Sequence, residues 1–314
     1  MFIYSPFLLF LLVMAPSLKA ANSAAWTTSD AAYSSPTERL ADSLLRQRCN
    51  LNNILLQLPL YHLKDAELVK ALLDQQANPY MQDKITGETL LHRLALNEFT
   101  ETLSTILDVI PSEELISNRS LRREMVTLPA NDGCTPLHKA AKRNSPDCIY
   151  LLINALPCQG SRIVYLGLQN DTGHTALHIA AINNCLAAVQ AFLSTFPLEE
   201  IDAIENFLNK RSIEGKTALY EAAAKGYEMI VKELLNAGAD PTICDEHDRT
   251  RQDIAAINGY EALANYLEKA SIPFLHRLGP SVESEDEEID EDSVEPPIFY
   301  RQRIACLRVL QQAG

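Results

Sequence analysis

Two pairs of potential metal ligands stand four residues apart in this chain of 314 residues: Cys134 with His138, and His174 with His178. Thiolate and imidazole at helical spacing are the donors a zinc ion takes. Each pair, however, straddles a turn and the start of a helix, and three of the four positions recur elsewhere in a repeated pattern. They therefore read as structural. The seven cysteines (49, 134, 148, 158, 185, 244 and 306) are odd in number and irregularly spaced, a poor disulfide framework. Cys148 falls at an apolar core position, whereas Cys158 and Cys185 read as more exposed and open to pairing under oxidising conditions. No Gly-x-x-x-x-Gly-Lys-Ser/Thr phosphate loop, His-Glu-x-x-His zinc helix or Gly-x-Ser-x-Gly elbow occurs. The chain is expected to be no enzyme and to use no cofactor or metal.

The recurring pattern decides the architecture. Thr89-Leu90-Leu91-His92, Thr135-Pro136-Leu137-His138, Thr175-Ala176-Leu177-His178 and Thr217-Ala218-Leu219-Tyr220 each follow a glycine two residues earlier. Thr is a good N-cap, Ala pairs keep a first helix narrow, and an apolar stripe such as Ile230, Val231, Leu234 and Leu235 marks a second helix. Gly238 and Pro241 end that unit. Cys148, Ile149, Leu152 and Ile153 superpose on the same stripe, as do Ala188, Val189, Phe192 and Leu193. Leu55 opens a degenerate first copy and Thr250 a more polar last one. Equivalent positions 55, 89, 135, 175, 217 and 250 are spaced 34, 46, 40, 42 and 33 apart.

A basal period near 33, a turn followed by two short helices, and Thr-Pro-Leu-His together resemble the ankyrin repeat over roughly residues 50–270. The resemblance implies an all-α solenoid of about six helix-turn-helix units with elongated β-turn fingers. It also implies that Thr135/His138, Thr175/His178 and Thr89/His92 hydrogen-bond within and between repeats. Tyr220 and Asp253 depart from the motif, so that bond is expected to be missing in their units.

The three long spacings leave insertions of 13, 7 and 9 residues, at about 111–130, 157–169 and 197–211. The first and third share a Pro-x-Glu-Glu pattern, at Pro111-Ser112-Glu113-Glu114 and Pro197-Leu198-Glu199-Glu200. Pro followed by acids is a good first helical turn, so each is expected to carry a short helix, and the three insertions side by side are expected to form the main partner-contact wall.

The ends differ in composition. Phe7–Ala15 is apolar and Ala20–Ala25 is small, the anatomy of a signal peptide over 1–23, too short to span a bilayer. Residues 24–37 read as a linker, 38–270 as the repeat domain, 271–296 as an acidic disordered tail, and 297–314 as a short amphipathic helix. The run 283–295 carries nine acids and no base, and its removal takes the net charge from −14 to about −5. That tail resembles the Glu-rich signals of type IV secretion substrates in intracellular bacteria such as Legionella, and Ser284 resembles an acidophilic-kinase site. The sign of the charge disfavours nucleic acid.

The expected function is a monomeric, exported bacterial adaptor or effector that binds a protein partner on a concave face and fingers. A periplasmic structural protein and an enzyme with a site on the fingers are the alternatives. Exposed turn positions, namely Asn131, Asp132, Asp171, His174, Glu214, Lys216, His247 and Asp248, are the candidate contacts.

Overall fold

A computed structural model of the chain describes residues 54–75, 77–109, 121–196 and 201–275, together with Thr37 and Ala41. The signal-peptide, linker, acidic-tail and 297–314 readings fall outside these residues, apart from Thr37 and positions 271–275. The chain divides into two compact units, 1–48 and 49–314, and the second holds the repeats.

Six helical units follow one another. The first comprises α1 (Ile54–Gln57), α2 (Leu60–Leu63) and α3 (Ala66–Asp74). Next come α4 (Leu90–Leu96) and α5 (Thr100–Val109), then α6 (Leu121–Thr127) within the first insertion. The third unit is α7 (Pro136–Lys142) with α8 (Pro146–Asn154), followed by the inserted α9 (Gln159–Leu166). The fourth is α10 (Ala176–Ile182) with α11 (Leu186–Ser194), followed by the inserted α12 (Ile201–Leu208). The last two units are α13 (Ala218–Ala224) with α14 (Glu228–Asn236), and α15 (Arg251–Ile257) with α16 (Glu261–Leu275). Helix α16 continues through positions 271–275. First helices α4, α7, α10, α13 and α15 pack in one file, and second helices α3, α5, α8, α11 and α14 in another. Among the described residues no helix is long and apolar enough to cross a membrane.

First helices of seven residues are too short to persist on propensity alone. Their stability comes from burial against neighbours: Leu137, Ala140, Ala141, Leu177, Ala180, Ala181, Ala222 and Ala223 are all fully enclosed. Their polar ends are closed by one recurring device. The main-chain N–H of Thr89, Thr135 and Thr175 donates to Nδ1 of His92, His138 and His178, at 3.1, 3.1 and 3.2 Å. The opposite ring nitrogen, Nε2, faces the carbonyl of Cys134, His174 and Lys216 in the following unit, at 2.9, 3.0 and 3.0 Å. A carbonyl only accepts, so Nε2 carries the proton and Nδ1 is the acceptor. Each histidine therefore joins its own helix start to its successor.

The two variant units correct the sequence expectation. Asp253 keeps the bond that was expected to be missing: its carboxylate accepts from Thr250 N–H at 2.8 Å and from Thr250 Oγ1 at 2.6 Å. Asp Oδ and His Nδ1 are both carried on Cγ, so the carboxylate reaches its own N-cap equally; among the described residues it makes no forward link. Tyr220 does lack the reciprocal bond, but its hydroxyl restores the forward link by donating to Asp245 Oδ2 at 2.8 Å. Burial would raise the Asp245 carboxyl, yet Arg249, through side chain and backbone, outweighs it together with Tyr220 and the His247 N–H. The carboxyl is held well below the usual range. Burial and that carboxylate push the Tyr220 hydroxyl up.

The turns between first and second helices need a left-handed residue. Gly226 and Gly259 supply it, but Glu98, Asn144 and Asn184 hold φ near 60° in the equivalent places. Asn144 compensates by accepting Ala188 N–H at 2.9 Å from the next unit. Among the described residues Glu98 has an exposed pairing with Arg143 at 3.4 Å, and such pairs contribute little.

Two predictions follow from this frame. Glu98→Gly should raise unfolding free energy by about 1 kcal/mol in urea titrations, the order of the left-handed penalty, whereas Asn144→Gly should gain nothing. Burial lowers all three histidines from 6.5 to about 4. The unfolded chain therefore takes up protons below pH 6.5 that the folded one refuses until near pH 4. Stability present above pH 6.5 should be lost as pH falls through that window, by up to about 1.4 kcal/mol per pH unit for each histidine. In urea titrations at a series of pH values, His138→Gln should remove about a third of the histidine slope.

Candidate protein-binding face

The turns preceding each first helix form a second ladder. Asn131 N–H donates to Thr86 O at 3.0 Å, Asp171 N–H to Asp132 O at 3.2 Å, and Ile213 N–H to Thr172 O at 3.3 Å. Side chains reinforce it. Gln82 Nε2 donates to Pro129 O at 2.9 Å, Gln169 Nε2 to Arg211 O at 2.8 Å, and Arg211 to Cys244 O at 3.1 Å. Gly87, Gly133 and Gly173 are required twice over. Each has φ of 70–75°, and an added Cβ would lie 2.4–2.5 Å from the following turn. Asp248 occupies the equivalent place in the last described turn, with φ 56°.

This stacking leaves the tips outward. Asn131, Asp132, Asp171, Glu214, His247 and Asp248 are exposed, as the sequence reading expects, while His174 and Lys216 are half-buried. Ile85 and Ile213 are exposed at the tips as well, a pair of apolar contacts the sequence reading did not include. Ion pairs fix several tips. Lys139 Nζ lies 2.9 Å from Glu88 and 3.1 Å from Asp132; Lys216 pairs with Glu214 at 2.5 Å and stands 4.0 Å from Glu221. Burial raises the Asp132 carboxyl, but the Cys134 N–H and Lys139 outweigh it and bring it below the usual value. His174 Nδ1 meets Thr172 Oγ1 at 2.7 Å, and its Nε2 lies 3.9 Å from Glu221. The C-terminal ends of the first helices, at the far end from the tips, carry exposed Lys142, Arg143, Asn183, Lys225 and Asn258.

Both ring nitrogens of His138 and of His178 are engaged in the ladder. Among the described residues no group of three His, Cys, Asp or Glu could hold a metal ion. Cys148 is buried as expected and Cys158 exposed, but Cys185 is buried, at the N-cap of α11. The interhelical turn tucks it against the preceding unit, with Sγ 3.7 Å from Lys142 O.

The described parts of the insertions carry helices that pack on the array. The start of the first, 110–120, lies outside the described residues; its helix is α6, where Met125 and Val126 are fully buried. The second insertion, where the sequence shows no Pro-acid start, also carries a helix. There Tyr165 is buried beside Thr135 and the Leu137 N–H without a well-formed hydrogen bond, and burial pushes its hydroxyl up. In α12, Phe207 packs on Phe196 and Phe192, with ring centroids 5.1 and 6.2 Å apart, and Asn209 Oδ1 accepts Asp240 N–H at 2.8 Å. The signal for docking was in the sequence as paired apolar residues, Met125-Val126, Tyr165-Leu166 and Phe207-Leu208, each just before a turn. The Tyr220–Asp245–Arg249 cluster was missed because its members lie up to 29 residues apart and only the stacked turn joins them.

Comparison with known proteins agrees with this geometry. The sequence profile described as "Ankyrin repeats (3 copies)" matches residues 56–159, 113–203 and 156–245. The chain is 29% identical over 198 residues to the nuclear factor NF-kappa-B p105 subunit of Gallus gallus, covering 62% of this chain and 18% of that protein. It is 32% identical over 106 residues to NF-kappa-B inhibitor alpha of Mus musculus, covering 34% of this chain and 31% of that one. A human NAD-capped RNA hydrolase, NUDT12, is 35% identical over 96 residues, 31% of this chain and 19% of the hydrolase. The chain thus spans less than a third of the length of each of these relatives. Stacked helix pairs, the Thr–His ladder and the profile matches lead to one conclusion: this chain belongs to the ankyrin-repeat family.

Proposed function

We propose that the protein is a non-enzymatic binding module that holds a protein partner along its turn tips and the adjoining ends of the first helices. The observation that carries this reading is the turn ladder. Main-chain bonds between successive turns fix the tips before any partner arrives, so little ordering entropy is lost on binding. The tips bear mixed charge and two exposed isoleucines, a surface suited to a folded protein rather than to polyanionic nucleic acid. A relative named as the inhibitor of another protein, NF-kappa-B inhibitor alpha, aligns over 106 residues of the array. The hydrolase name does not carry over, because the match covers only 19% of that enzyme.

The finer reading is an exported adaptor or effector of bacterial origin. It rests on the apolar, then small-residue composition of 1–23 and on the Glu-rich run 283–295. The N-terminal mass of the mature protein tests it: loss of about the first 23 residues supports export by a signal peptide, and an intact Met1 rejects that route.

Affinity capture with the full chain, compared with the double variant Asp171→Arg/Glu214→Arg, tests the binding face. Both positions are exposed tips, so circular dichroism should be unchanged. The specifically retained protein should lose at least about tenfold in affinity, roughly 1.4 kcal/mol. Equal affinity for both would reject the face.

A further inference from the structure

One face of the first helices is lined by side chains that no neighbouring unit covers. The residue after each histidine position, and the one three further along, stay unburied even with units on both sides. In the fourth to sixth units these are Ile179, Ile182, Glu221, Ala224, Ile254 and Ile257, and Ile257 is 67% exposed. Three apart on a helix, the two residues of each unit share a face. The first helices pack in one file, so these faces join into one floor, apolar except for Glu221. In the third unit the same positions hold Lys139 and Lys142, and the apolar floor ends there.

The floor has unlike rims. On the turn side stand exposed Asp171, Glu214, Glu246 and Asp248. Glu214 is paired with Lys216 at 2.5 Å, whereas Asp171, Glu246 and Asp248 stand in no ion pair among the described residues. At the far end of the same helices Asn183, Lys225 and Asn258 are exposed, with no carboxylate among them. A helix of seven residues is roughly 10 Å long, about the diameter of one α-helix with its side chains. From Ile182 to Ile257 the floor spans two first-helix spacings, roughly 9 Å each, or about 12 residues of a helix lying across them.

Building on the turn-tip binding face proposed above, we infer that this floor receives one amphipathic helix of a protein partner. Its apolar stripe seats on Ile182, Ala224 and Ile257, and its turn-side flank carries Lys or Arg opposite Asp171, Glu246 and Asp248. The complementary charge sets the register and hastens encounter, and the apolar stripe supplies the contact that holds.

Random peptides of about 18 residues, five helical turns, displayed on phage and selected on the full chain test this, with counter-selection on Ile182→Glu/Ile257→Glu. That variant keeps every acid of the chain, so the counter-selection removes peptides held by the negative surface at large. Enriched sequences should carry apolar residues three and four apart and an excess of Lys and Arg. Reselection on Asp171→Arg/Glu246→Arg should exchange that excess for Asp and Glu. By fluorescence anisotropy the best peptide should bind the wild type at least about tenfold tighter than the floor variant. Where circular dichroism shows that the pair disturbs the helices, Ile257→Glu alone takes its place. An absent basic excess, an excess unmoved by the charge reversal, apolar residues alternating as in a strand, or no enrichment overturns the proposal. A natural partner released by Asp171→Arg/Glu214→Arg while these peptides fail rejects the floor alone and leaves the turn-tip face standing.

Discussion

A backbone carbonyl in one unit, already accepting an N–H of its own turn, takes a second hydrogen bond from the ring of a histidine in the unit before. That single dependency organises the molecule. His92, His138 and His178 each spend one nitrogen at home and one on the successor. Severing such a bond while keeping the histidine strands its buried Nε2–H, at a cost of about 1–3 kcal/mol. The helices it joins are too short to survive apart, so the link and the apolar contact surface act together. Cohesion is therefore nearest-neighbour in character, as expected for stacked repeats.

The insertions show how such a stack absorbs extra chain. Lengthening between second helix and turn leaves the turn ladder untouched, because the added residues form a helix whose apolar pair packs back onto the array. Phe207 against Phe192 and Phe196 ties the third insertion to its own unit, and Asn209 then fixes the start of the next loop. In their described parts the added segments act as struts against the array.

Much of this was legible in the residue order. Thr, Ala pair and apolar stripe recur at fixed offsets, and each offset has a local cause: a cap, a close helix approach, a buried face. Exposure of six of the eight candidate tips followed from the same periodicity. What escaped was chemistry that depends on stacking. Asp253 was read by residue type alone as a broken motif, though a carboxylate serves the N-cap as well as imidazole does. Tyr220 meets Asp245 only because the next turn folds beneath it. The burial of Cys185 likewise depends on the unit before, and no local pattern announces it.

The turn glycines carry a further meaning for how such a molecule can change. At Gly87, Gly133 and Gly173 the neighbouring turn stands so near that no side chain fits, whereas Asp248 has a Cβ in the same conformation. One carbon atom thus seals the row of turns. A duplicated repeat spliced in behind α16 would clash there until Asp248 reverted to glycine, while a duplication between earlier units would meet no such obstacle. The array is open to growth from within and closed to growth at that edge.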